Sequence, residues 1–98
     1  MSSTHNTQAA ESRTIVEYTP EQIRQSVGSQ LHDARKKAQL TQMQLSAACG
    51  IDQAVISRVE RGKANPTLSL LQALATPLNM RVALVPAREH QDDEADEE

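Results

Sequence analysis

Leu40-Thr41-Gln42-Met43-Gln44-Leu45-Ser46-Ala47-Ala48-Cys49-Gly50-Ile51-Asp52-Gln53-Ala54-Val55-Ile56-Ser57-Arg58-Val59-Glu60-Arg61-Gly62 is the stretch on which the fold turns. Thr41 has the chemistry of a helix N-cap, and Gln44 three residues on completes a capping box, so Gln42 to Cys49 is expected to form a short helix burying Leu45 and Ala48. Gly50 ends it. Asp52 is expected to cap a following helix, Gln53 to about Arg61, whose Val55, Ile56 and Val59 supply an apolar stripe before Gly62 stops it in a left-handed conformation.

Only Gly50, Ile51 and Asp52 separate the two helices. A connection this short, with Gly in it, is the helix-turn-helix arrangement, which presents its second helix to a DNA major groove. Working outward, Thr19-Pro20-Glu21-Gln22 combines an N-cap, a proline at the first helical position and a capping-box partner. After it Ile23, Val27, Leu31, Ala34 and Ala38 recur on one helical face, so a first helix runs to about Ala38, with Gly28 a weak point. On the other side, Asn65-Pro66-Thr67 breaks the chain and Thr67 caps a fourth helix that turns Leu68, Leu70, Leu71 and Leu74 to the core until Pro77 ends or kinks it. Met80-Arg81-Val82-Ala83-Leu84-Val85 alternates in the manner of a strand. Thr14 to Tyr18 is the only other, weaker strand candidate, so the simplest partner for residues 80–85 is the same segment of a second copy across a two-fold axis. The expected fold is all-α, a compact bundle of four to five helices containing a helix-turn-helix, with a short C-terminal β-strand pairing across a homodimer.

With 98 residues the chain suits one small domain. Its net charge of −3 is an average over unlike parts. Residues 30–88 carry Arg35, Lys36, Lys37, Arg58, Arg61, Lys63, Arg81 and Arg88 against Asp33, Asp52 and Glu60, a net of +5, while the last ten residues carry −7. Residues 1–14, rich in Ser, Thr, Asn and Gln, read as a flexible segment, residues 15–86 as the folded unit, and residues 87–98 as a disordered acidic tail that cannot bury enough apolar surface to offset its ordering entropy. One aromatic residue, Tyr18, cannot build a base-stacking platform for single-stranded nucleic acid. A single Cys excludes an internal disulfide framework, and no apolar run approaches the roughly 20 residues of a membrane helix, so the chain reads as cytoplasmic. His5, His32 and His90 stand at no ligand spacing, and neither a metal site nor a cofactor is expected.

Leu40-Thr41-Gln42, Leu45, Gly50-Ile51, Ile56-Ser57, Glu60, Gly62 and Pro66 with Leu71 and Leu74 resemble the Cro and lambda-repressor type helix-turn-helix family, also called the XRE family. The likeness covers residues 30 to 78. Beyond it, the Tyr18-Thr19-Pro20 lead-in and the strand-like segment look like the HipB group of antitoxins, in which terminal strands of two subunits pair and the protein binds both operator DNA and a HipA-type toxin kinase.

The resemblance implies roles for individual residues. Gln53 and Ala54 open the recognition helix, with Ser57 and Arg58 one turn on, and these four form the base-reading set: Gln suits adenine, Ala a thymine methyl and Arg a guanine edge. Thr41 and Gln42 at a helix N-terminus, with Arg61 and Lys63 after the recognition helix, are implied to hold DNA phosphate. Plainer readings stand beside these: solvated helix residues for the base set, simple capping for Thr41, and surface cations for Arg61, Lys63, Lys36 and Lys37. The family often pairs the residues at Arg35 and Glu60 as an ion pair between the first and third helices, which makes Glu60 structural. Met80, Val82 and Leu84 are the residues expected on the dimer strand.

The function implied is a sequence-specific repressor binding an inverted-repeat operator as a homodimer, and specifically the antitoxin of a HipBA-like module that represses its own operon. A phage-type or host regulator without a toxin is the first alternative. A protein-interaction adapter that kept the fold and lost DNA binding is the second. No nucleophile–base pair, phosphate loop or metal cluster points to an enzyme.

Overall fold

The computed structural model describes residues 16–87. Tyr18–Leu84 form one compact unit; of the second unit, Met1–Glu17 with Val85–Glu98, the described residues carry no helix or strand. The expected flexible segment 1–14, residues 88–98 of the expected tail 87–98, and residues 14 and 15 of the weak strand candidate lie outside the described residues, while residues 16–18 of that candidate form no strand.

Four α-helices build the folded unit: α1 Pro20–Lys37, α2 Gln42–Cys49, α3 Gln53–Glu60 and α4 Leu68–Ala75, followed by a 3-10 turn, Thr76–Leu78. Local chemistry starts three of them. The side chains of Thr19 and Thr41 accept from Gln22 N and Gln44 N at 3.0 Å each, and both glutamine side chains return a bond to the cap residue's own N–H. Thr67 caps α4 in the same way through Leu70 N. Asp52 occupies the cap position of α3 but its side chain makes no capping bond; its carbonyl instead receives Val55 N and Ile56 N. α1 ends on a C-terminal motif in which Gln39, at φ 62°, returns its N–H to Lys36 O while Leu40 N reaches Arg35 O.

Leu31, Leu45, Ile56, Val59, Leu74 and Leu78 form the buried core, contributed by every helix and the 3-10 turn. α1 and α3 cross closely. Gly28 does not break α1; it is buried at that crossing, and a Cβ there would lie 2.3 Å from Val59 O and 2.6 Å from Glu60 O, so only glycine lets the two backbones approach. Between α2 and α3, Gly50 takes φ 77° and the Ser46 hydroxyl donates to Ile51 O at 2.6 Å, which locks the turn.

Several expected core positions lie elsewhere. Leu68 is 73% exposed, on the side of α4 away from the core, whereas Leu70 and Leu71 pack partly and Leu74 fully. Ala48 faces solvent and the adjacent Cys49 packs on the core instead; one residue is about 100° of helix, enough to exchange the two faces. Ile23 and Ala38, at the two ends of the α1 stripe, are exposed. The expected strand at 80–85 is not formed among the described residues: a ladder needs a second strand, and none of them supplies one. Pro77 ends α4 rather than kinking it, and the chain leaves through Asn79 at φ 63°. No described helix is long and apolar enough to cross a membrane.

Candidate nucleic-acid interface

The N-termini of α2 and α3 are joined through side chains. Gln53, the first residue of α3, donates through Nε2 to Oε1 of Gln42, the first residue of α2, at 3.4 Å. Gln42 in turn donates through Nε2 to Glu60 Oε1 at 3.1 Å. The Glu60 carboxylate also receives Arg35 Nε at 2.7 Å on Oε2 and Arg35 Nη2 at 2.9 Å on Oε1, a two-pronged ion pair between α1 and the last residue of α3. Arg35 Nη1 completes the set on Leu40 O at 2.8 Å, the carbonyl just before the α2 cap. One carboxylate therefore ties α1, the start of α2 and the end of α3 to one another, and through Gln42 it reaches the side chain that opens α3.

His32 adds a fourth donor, with Nδ1 3.1 Å from Glu60 Oε1. Because the carboxylate only accepts, Nδ1 carries the proton in this arrangement; the 3.3 Å separation between Arg35 Nη2 and the same nitrogen is then a close approach of two donors rather than a hydrogen bond. Burial alone would raise the Glu60 carboxyl, but hydrogen bonds from Arg35, Gln42 and His32 and the Arg35 charge outweigh it and hold it below its ordinary value. Arg35 moves up: its hydrogen bond to Glu60 prevails over desolvation. No buried side-chain nitrogen or oxygen among the described residues lacks a partner.

Around this anchored core the base-reading candidates divide. Gln53, Ala54 and Arg58 are exposed, and Ala54 and Arg58 lie four residues apart on one face of α3. Ser57 is half-buried, and its carbonyl receives Arg61 N at 3.1 Å and Arg61 Nε at 3.3 Å. Arg61 is thus folded back onto the end of α3, while the Lys63 side chain is exposed. Thr41 is exposed with its hydroxyl engaged in the capping box, and Gln42 is half-buried in the chain just described. Met80, Val82 and Leu84 are exposed on the segment after the 3-10 turn.

Sequence reasoning had no place for His32, which stood among scattered histidines, or for Gln42 as the link between Glu60 and Gln53. A signal existed for the first: His32 and Arg35 sit three apart on the helix face that bears the ion pair. Gln42 carries no such signal, since its contact with Glu60 spans 18 positions. No group of three or more His, Cys, Asp or Glu among the described residues could hold a metal ion.

Comparison with known proteins places this architecture. The helix-turn-helix family HTH_3 matches residues 31–85. An uncharacterized HTH-type transcriptional regulator of Haemophilus influenzae is 33% identical over 72% of this chain and 78% of its own length. The immunity repressor protein of Bacillus phage phi105 is also 33% identical, over 65% of this chain. Among solved structures, an HTH_3 family transcriptional regulator from Vibrio cholerae superposes with a TM-score of 0.59 at 26% identity, over 62% of this chain. The matched part spans 44% of the phage protein and 34% of the Vibrio chain.

Proposed function

The chain belongs to the HTH_3 family of helix-turn-helix proteins, and from that membership we propose that it is a DNA-binding transcriptional repressor that sets α3 into the major groove. The observation that carries this reading is the exposed face of α3, with Gln53, Ala54 and Arg58 presented on a helix held at both ends by the Glu60 network. Gln53, Ala54, Ser57 and Arg58 read base edges, Arg58 gripping guanine and Gln53 adenine. Thr41, Gln42, Arg61 and Lys63 hold phosphates and supply most of the affinity, which therefore falls steeply with salt. Two copies related by a two-fold axis, paired through Met80, Val82 and Leu84, match an inverted repeat with half-sites about 34–36 Å apart.

We further propose that the repressor is the antitoxin of a HipBA-like module, binding both its own operator and a HipA-type kinase. The support is the Tyr18-Thr19-Pro20 lead-in and the exposed apolar segment at 80–84. The likeness to a phage immunity repressor favours a second reading, a regulator with no toxin partner.

A gel-shift titration on the DNA upstream of the chain's own gene, with random DNA as control and with or without the product of the neighbouring gene, tests both readings. The repressor reading requires a tighter complex on the upstream DNA at equal salt; equal affinity for both DNAs overturns it. The antitoxin reading requires the neighbouring product to join the complex, and a toxin-free regulator leaves the band unchanged.

A further inference from the structure

The side chain of Gln72 on α4 behaves as a peptide group placed beside the C-terminal segment. Its Oε1 accepts Val82 N at 3.0 Å and its Nε2 donates to Met80 O at 3.2 Å. Nε2 also donates to Thr76 Oγ1 at 3.0 Å, and because that hydroxyl gives its own proton to Gln72 O at 2.8 Å it can only accept. The amide is therefore oriented without ambiguity, with both N–H groups on acceptors and its oxygen on a donor.

A carbonyl at one residue and an N–H two residues on, both bonded to one amide, are what one edge of an extended strand offers a parallel neighbour. Gln72 thus closes the edge carrying the groups of Met80 and Val82. In an extended chain the groups of Arg81 and Ala83 point to the opposite edge, and neither residue's backbone makes a hydrogen bond within the described chain. The side chains of Val82, 40% exposed, and Leu84, fully exposed, share a face beside that open edge.

Resting on the dimer reading above, we propose that Gln72 is the residue that primes this segment for pairing, and that the pairing is with the same segment of a second copy, antiparallel and centred on Ala83. Charge and apolar match select the register. Centring on Arg81 would put two guanidinium groups directly opposite each other, which disfavours pairing. Centring on Ala83 sets Arg81 opposite Val85 and each Val82 opposite a Leu84, so that the exposed apolar pair on one copy covers its counterpart on the other.

The test compares the full chain with Gln72→Ala and Gln72→Glu by analytical ultracentrifugation, and adds oxidative cross-linking of Ala83→Cys and Arg81→Cys in a Cys49→Ser background. Alanine is a good helix former at a half-buried site, and matching circular dichroism melts establish that the variants fold. The expected result is a dimer dissociation constant raised about tenfold or more by Gln72→Ala, a rise at least as large for Gln72→Glu, which keeps the acceptor for Val82 N but sets a carboxylate oxygen against the Met80 carbonyl, and rapid cross-linking at Ala83→Cys alone. A parent chain that stays monomeric at high concentration overturns both the dimer reading and this inference. A dimer indifferent to Gln72→Ala, or one cross-linked faster at Arg81→Cys, overturns the priming role or the register while leaving the dimer standing.

Discussion

Four donor atoms from Arg35, Gln42 and His32 converge on the Glu60 carboxylate, and these surroundings make its contribution to stability large and dependent on pH. Its side chain is 4% exposed and that of Arg35 8%, so truncating Glu60 strands a buried guanidinium. Glu60→Ala is expected to destabilise the fold by about 3–5 kcal/mol in urea denaturation, whereas replacing both partners with apolar residues of similar volume costs far less. Because the folded-state carboxyl lies below its ordinary value of 4.5, its stabilisation is full above that pH and is lost as pH falls through the lowered value. Acid titration of stability should therefore show a decline below about pH 4.5 that is absent in the doubly apolar variant. Residue chemistry of this kind was partly legible: Arg35 and Glu60 are pointed to by resemblance, but the bonds from Gln42 and His32 depend on how three helices cross.

At the scale of elements, the capping boxes at Thr19 and Thr41 and the left-handed Gly50 are local chemistry, and the helix boundaries follow them to within a residue. What the sequence left ambiguous is which way a short helix faces. An eight-residue helix has about two turns, so Leu68 and Leu70, or Ala48 and Cys49, satisfy the apolar pattern almost equally until neighbouring helices select between them. Gly28 makes the same point in reverse: its composition suggests a weak helix, while its position makes it the contact on which the α1–α3 crossing depends. Gly28→Ala gains roughly 1 kcal/mol of helix propensity and yet should destabilise by about 1–3 kcal/mol, since its Cβ would meet two backbone carbonyls that cannot rotate away. A denaturation midpoint equal to or above that of the parent would show that the helices separate without cost. The C-terminal segment had the alternation of a strand, and the structure holds its inner edge to a side chain; alternation specifies a face but supplies no partner.

For the whole molecule, the net charge of −3 describes no surface. The cations Arg58, Arg61 and Lys63 follow one another at and after α3, whereas the densest acidic run lies in residues 89–98. Phosphate binding by Arg61 and Lys63 should make log affinity for DNA fall linearly with log salt, and Lys63→Ala should weaken binding to every sequence alike and flatten that slope by about one ion. Base reading makes a different demand on Arg58. Base reading by α3 is isolated from phosphate binding by the ratio of dissociation constants on upstream and random DNA, at one salt concentration, for the parent chain and Arg58→Ala. A base-reading Arg58 contributes about 1–3 kcal/mol at its cognate pair, so the ratio should shrink by roughly 5-fold to 150-fold in the variant. Equal losses on both DNAs would rule out base reading by Arg58 and leave it one more surface cation.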